Sequence, residues 1–398
     1  MNPIPYGKQY ISEEDITAVI ETLQSDFLTQ GPKIAEFEKA FADYVGATYA
    51  VSLANGTAAL HLCAMALNIK PGQKVITSPI TFVASANCVK YCGGVIVFAD
   101  INPNTYLLDI NTVRKLLEDS PKGTYAGIIP VDFAGLAINM EDFNALANEF
   151  GLWIVEDACH APGGYFIDSK GIKQLCGNGK FAELAIFSFH PVKHITCGEG
   201  GMITTNNKEL YEKLLVLRTH GITRKQESFT NDITWASGNT INVITEYPGW
   251  YMEMQELGYN YRLTDFQAAL GISQLQRAGF GLERRKVIAL NYNKAFENKD
   301  WFKGQSGYVE GHAYHLYVIE INDRLGLYNY LRSKKIFGQV HYIPMYMMPY
   351  YQDQGYKQFD FPNAEKYYSR CLSLPMYPTL TDEEQLYVIE SIKSYFNG

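Results

Sequence analysis

Seven short runs, rich in β-branched and aromatic residues, recur through the first half of the chain: YAVSLA from Tyr49, KVITS from Lys74, GVIVFAD from Gly94, YAGIIPVDF from Tyr125, LWIVEDA from Leu152, AIFSFH from Ala185 and GMITTN from Gly201. They are continuously apolar instead of alternating, and helical stretches separate them. A strand buried on both faces needs apolar residues at every position, so these runs specify a mostly parallel sheet with helices on both sides. The expected fold is α/β: a large, mostly parallel seven-stranded sheet domain followed by a small C-terminal α+β domain. Residues 1–247 form the expected large domain with its entry segment, and 248–398 the connecting helices and small domain.

The helical signals fit this frame. Ser12 is a natural N-cap for a helix to Gln24, with Ile16, Val19, Ile20 and Leu23 on one face. FLTQGP breaks the pattern at Phe27–Pro32, and a second amphipathic helix follows over Ile34–Val45. Thr264 caps TDFQAALGISQLQ, and after Gly279–Gly281 a further helix is expected over Glu283–Glu297. Beyond it, strands are expected near His315–Ile321 and Gln339–Ile343, with a helix around Leu325–Lys335 between them and two helices at the end. Lys225–Trp250 lacks periodicity and reads either as a long surface or interface loop or as a disordered insertion.

Charge and cysteine usage narrow the function. With 34 basic and 42 acidic side chains the net charge is −8, and no long basic run offers a surface to nucleic acid. The seven cysteines are scattered without CxxC spacing, as expected of reduced thiols and not of a zinc site. No signal-like start and no membrane-length apolar run is evident, so a cytoplasmic protein without membrane contact is expected. The chain has no GKS/T lysine and no convincing GxGxxG.

Four strand ends carry residues suited to chemistry. In SLANGTAAL a strand passes through Asn-Gly-Thr into a helix, whose free N–H groups at Thr57 and Ala58 suit a phosphate or serve only as a capped turn. In SPITFVASAN, Phe82 is placed to stack on a flat ring or to pack in the core. In LWIVEDACHA, Glu156 and Asp157 end a strand where parallel sheets bind ligands. Such an acid is a metal ligand, a helix cap, or a partner for the pyridine nitrogen of pyridoxal phosphate. His160 is placed near that cofactor or satisfied in the core. In SFHPVKHITCGEGG, Lys193 follows a buried strand, where desolvation lowers its pKa and makes its amine a nucleophile for a carbonyl. Ser188, five residues earlier, is within reach of a phosphate. Strand ends of an open sheet converge on one crevice, so these residues describe one cofactor site.

These segments, with FLTQGP, RTHGI, GYNYRLTD, FQAALGISQL and HYIPMYMMPYY, resemble the fold-type I, pyridoxal-phosphate-dependent sugar aminotransferases of the DegT/DnrJ/EryC1/StrS family over nearly the whole chain. The resemblance implies a Schiff base between Lys193 and the cofactor, Asp157 on the ring nitrogen, Phe82 against the ring and His160 beside it. It implies phosphate contacts from Thr57, Ala58 and Ser188, and from Asn260 across the interface of a homodimer with shared active sites. Substrate contacts fall on Tyr6, Thr29, Gln30, Tyr314 and His341. No metal is implied. Two positions depart from the pattern: His194 stands where proline is usual, and Asp232–Trp250 is longer than in the relatives.

Within the family, SFHPVK, TCGEGG and ELGYNYRLTD look most like a C-4 aminotransferase of pseudaminic acid biosynthesis, a cell-surface polysaccharide route. The implied reaction is a ping-pong transamination through the Lys193 aldimine, from L-glutamate to a UDP-linked 4-keto-6-deoxy-N-acetyl hexosamine. Alternatives are amination of another nucleotide keto sugar, at C-3 or on a GDP- or dTDP-linked acceptor of the perosamine type, and a pyridoxal-phosphate-binding protein without catalysis.

Overall fold

In the computed structural model, residues 2–238, 245–306, 309–357 and 360–397 are described. The apolar runs form one sheet of seven strands: β1 (Tyr49–Leu53), β2 (Lys74–Thr77), β3 (Val95–Phe98), β4 (Tyr125–Ile129), β5 (Trp153–Asp157), β6 (Leu184–Ser188) and β7 (Gly201–Thr205). Their spatial order is β1-β7-β6-β5-β4-β2-β3. All neighbours are parallel except β7, which runs opposite to both β1 and β6. Both faces of the sheet are covered, which is why its strands are apolar throughout: Val51, Ile186 and Ile203 pack in one core and Ile76, Ile128 and Ile154 in another.

The helix Gly56–Ala66, here α3, follows α1 (Glu13–Leu23) and α2 (Pro32–Val45) and starts where the Asn55 side chain accepts the Ala58 N–H at 2.8 Å. Ser12 caps α1 through a reciprocal box with Asp15. The apolar stripe of α1 faces outward: Ile16, Ile20 and Leu23 are exposed, while Asp15 and Thr22 are buried. Asp15 turns inward because it accepts from Ser273 at 2.6 Å, from Gln274 at 2.7 Å and from Arg277, on and just after the helix Asp265–Gln276.

The C-terminal part has a three-stranded antiparallel sheet, β8 (Lys303–Gly304), β9 (Tyr317–Glu320) and β10 (Cys371–Leu374). Its core joins Ile319 and Leu372 to Ile288, Tyr292 and Phe296 of the helix Ala278–Phe296, Leu327 of the helix Arg324–Ser333 and Val388 of the helix Asp382–Asn397. Three expectations are corrected here. Gly279 and Gly281 lie inside the helix Ala278–Phe296 instead of before it, since each leaves room for a side chain and neither has a positive φ. Gln339–Ile343 is not a strand: Gln339 makes one bridge to Ser373, and the true short strand is Ile336–Phe337, paired with Ile4–Pro5. The two terminal helices are separated from each other by β10, four buried residues that are too short to show a period. The entry segment thus bonds to the C-terminal part through Ile4–Pro5.

The stretch 225–250 carries a short helix, Ile233–Ala236, and an aromatic cluster in which Phe229 and Tyr247 pack with Tyr251 just beyond it. Residues 239–244 of the Asp232–Trp250 insertion lie outside the described residues. All seven cysteines are free thiols. Among the described residues, no helix is long and apolar enough to cross a membrane.

Candidate active site

The carboxyl ends of the parallel strands open into a cavity of about 690 Å³. Thr57, Ala58, Phe82, Asp157, His160, Ser188, Lys193, Tyr6 and His341 all line it. The remaining sequence candidates do not. Asn260 is exposed and bridges Thr219, while Thr29 and Gln30 lie on an exposed turn where Thr29 bridges Thr264. Tyr314 is buried with its ring stacked 3.9 Å from that of His312, and its neighbour His315 lines the cavity instead.

At the β1–α3 turn, Asn55 already occupies the Ala58 N–H, so the first-turn N–H groups of Gly56 and Thr57 are left for a ligand. Two glycines keep this cradle shallow. A side chain on Gly201 would meet the Asn55 carbonyl at 2.5 Å, and one on Gly56 would meet Ser188 Cβ at 3.1 Å. The helix start, its dipole and the hydroxyls of Thr57 and Ser188 make a phosphate-sized anion site.

Asp157 ends β5 and is fixed from both sides. Ser85 donates to its Oδ2 at 2.7 Å, and the Cys159 N–H to Oδ1 at 3.2 Å. Because the Ser85 proton points at Asp157, Thr81 is the donor in the 2.8 Å contact between the two hydroxyls. Lys193 stands in the turn after β6, and burial holds its amine below the usual lysine value, against the opposing pull of Cys159 and Asp157.

The facing wall is made of rings. The Ala134 N–H donates to His160 Nδ1 at 3.2 Å, so a neutral His160 carries its proton on Nε2, 3.3 Å from the Tyr342 hydroxyl. Burial, reinforced by the Lys193 charge, keeps His160 well below the usual histidine value. His341 pairs with the Ser373 hydroxyl at 2.9 Å and lies 5.1 Å from the Tyr6 ring; burial pushes it down to about 3. His194 donates from Nε2 to the Ala313 carbonyl at 2.9 Å and is likewise held neutral by burial, so this departure adds no charge beside Lys193.

Sequence reasoning missed Ser85, Cys159, Tyr261, His315 and Tyr342. Ser85 sits in the quoted SPITFVASAN, three residues after Phe82, and that helical offset was its one available signal.

The donor set fits pyridoxal phosphate: an anion cradle, a carboxylate outside any ion pair of the described residues, a lysine with a lowered pKa and an aromatic ring at Phe82, all on one cavity. Residues 9–393 match the DegT/DnrJ/EryC1/StrS aminotransferase family. The chain is 38% identical to the spore coat polysaccharide biosynthesis protein SpsC of Bacillus subtilis, over 99% of this chain and 97% of that one. It is 34% identical to a UDP-4-amino-4,6-dideoxy-N-acetyl-β-L-altrosamine transaminase of Campylobacter jejuni, over 98% and 97%. The structure superposes on PseC of Helicobacter pylori, an aminotransferase involved in the biosynthesis of pseudaminic acid, with a TM-score of 0.86, 29% identity and full coverage of both chains.

Proposed function

Because the chain belongs to the DegT/DnrJ/EryC1/StrS family of pyridoxal-phosphate-dependent sugar aminotransferases, we propose that it transfers the amino group of L-glutamate to C-4 of a UDP-linked 4-keto-6-deoxy-N-acetyl hexosamine, giving UDP-4-amino-4,6-dideoxy-N-acetyl-β-L-altrosamine. The observation that carries this reading is the convergence of Lys193, Asp157 and the Thr57 helix start on one cavity.

Bound pyridoxal phosphate supplies the electron sink that acidifies the carbon carrying the amine. Asp157, held by Ser85 and the Cys159 N–H, keeps a proton on the ring nitrogen. Lys193 would hold the cofactor's aldehyde carbon. Burial lowers the pKa of its Nζ, which would accept the proton of the donor carbon and return it. Gly56, Thr57 and Ser188 would bind the phosphate, with Ala58, its N–H already held by Asn55, only lining the same turn, and Phe82 would lie against the ring. His160 would contact the cofactor's phenolic oxygen. Tyr6 and His341 line the space left for the sugar, with Tyr314 behind them and Thr29 and Gln30 on the outer turn. Asn260, exposed in a single chain, reaches the phosphate held by a partner subunit in a homodimer. The large and small domains divide at about residue 247, and the protein acts in the cytoplasm.

Borohydride reduction of the holo protein followed by peptide mapping is expected to label Lys193; a label on another lysine overturns the site. Glutamate with a panel of nucleotide keto sugars tests the acceptor. Faster amination of a GDP- or dTDP-linked sugar, or amination at C-3, would replace the UDP-altrosamine reading.

A further inference from the structure

A second group of titratable side chains lies behind the cavity floor and takes no part in the chemistry above. Asp132, Glu156 and Cys176 are buried, with their ligand atoms within 4.8 Å of one another. Each carboxylate commits one oxygen to a backbone donor. The Ile138 N–H reaches Asp132 Oδ1 at 2.8 Å, and the Gly177 N–H reaches Glu156 Oε1 at 3.0 Å. Asp132 Oδ2 is buried without a partner. The ion pairs of the described residues all lie elsewhere. Ionising both of two buried carboxyl groups this close, outside any ion pair of the described residues, is strongly disfavoured.

We infer that Asp132 and Glu156 share a proton and form a clamp that positions His160, an inference that rests on the role given to His160 above. The link from the pair to His160 is short. The Asp132 N–H donates to the Asp157 carbonyl at 3.0 Å, and the Asp132 carbonyl accepts from the Gly135 N–H at 3.0 Å. This closes the tight turn Phe133–Gly135, in which Ala134 is held at a φ of 62°. Ala134 is the residue whose N–H fixes His160 Nδ1, and its carbonyl accepts from the Leu316 N–H at 3.1 Å, beside His315. Removing the shared proton would set two anions face to face, drive Asp132 from Glu156 and carry Ala134 with it.

Three other titratable groups face the pair: Cys176, Asp157 and Cys159. The neighbouring strands β6 and β7 contribute Phe187 and Thr204 around Gly177, both uncharged. Burial, ahead of any neighbouring charge, pushes Asp132 up to about 7 and Glu156 well above the carboxylate range.

The test uses the full-length holoenzyme with Asp132→Asn, Asp132→Ala and Glu156→Gln, read by infrared spectroscopy, by the pH profile of kcat/KM for glutamate and by elemental analysis. At neutral pH the unmodified enzyme should show a buried carboxylic-acid band that Asp132→Asn and Glu156→Gln each shift in frequency or remove. Its kcat/KM should fall with rising pH as the proton leaves, and Asp132→Asn, which keeps the hydrogen bond without a second charge, should lose that fall. Asp132→Asn should also be at least about tenfold more active than Asp132→Ala. Absence of the band, or an unchanged pH profile in Asp132→Asn, overturns the clamp. So does a stoichiometric metal ion lost on that substitution. The band is read without turnover, so full activity in His160→Ala would overturn the positioning role separately from the shared proton.

Discussion

The sheet wall of the cavity and the wall facing it hold their polar groups by different means. On the sheet wall, Asp157, Ser188 and Lys193 stand at or just after strand ends, and Thr57 opens a helix. Their geometry is set by the sheet ladder, by Ser85 and by the Cys159 N–H. Opposite, Tyr6, His315, His341 and Tyr342 come from segments outside the main sheet; His341 leans on the rings of Tyr6 and Tyr342, and His315 on that of His160, with burial keeping the imidazoles uncharged. A charged group in a fixed place serves a reaction common to many substrates. A neutral wall of rings and hydroxyls can be re-cut for a new sugar without disturbing that chemistry. The sheet wall is therefore expected to govern whether amino transfer occurs, and the ring wall to govern the acceptor.

The largest effect that would sharpen this division is at Lys193. Lys193→Ala should lower the glutamate half-reaction, followed by cofactor absorbance, by about ten-thousand-fold; near-normal turnover would remove the sheet wall from the chemistry. Asp157→Asn should cost about a hundredfold or more in the same assay. Ser85→Ala, which leaves Asp157 Oδ2 without its donor, should cost about tenfold in kcat with little change in KM for the sugar. On the other wall, His341→Asn or Tyr342→Phe should raise KM for the keto sugar about three- to tenfold and spare the glutamate half-reaction. A large loss in that half-reaction instead would break the division.

The smallest expected effect is on stability. Burial lowers the pKa of Lys193 in the folded apoprotein, so the unfolded chain binds the proton more tightly and stability falls as pH drops from the usual lysine value through the folded one. Lys193→Met should raise the apoprotein Tm by about one or two degrees at neutral pH, with the gain shrinking as pH rises toward 10.5. A constant gain across that range would assign it to packing and not to charge.

The same contrast explains how much was legible in the sequence. Strands covered on both faces must be apolar throughout, so all seven showed themselves, and the strand-end rule led from them to Thr57, Asp157 and Lys193. The ring wall has no period. Tyr342 sits in HYIP, whose alternation imitates a strand, although its side chain meets His160 within the ring wall. His315 stands beside Tyr314, and only the fold decides which of the two faces inward. Ser85 looks like any helix serine until Asp157, 72 residues later, comes to meet it. The outward stripe of α1 misleads for a related reason: amphipathic spacing marks a face, and Asp15, bound to Ser273 and Gln274, decides which way that face turns.

The reversed strand β7 also bears on how the chain is made. β1 lies at the edge of the sheet with β7 as its sole neighbour, so Leu53 has no strand partner until Gly201 has been synthesised. At ordinary ribosomal speeds that wait is on the order of ten seconds. The phosphate turn at Thr57 thus leaves the ribosome before Asp157 and Lys193 but is locked only after both have been made, because its floor is Gly201 itself. During that interval β1 is an unpaired apolar strand, exposed to wrong partners, and a faster route to β7 would favour yield over any gain in final stability.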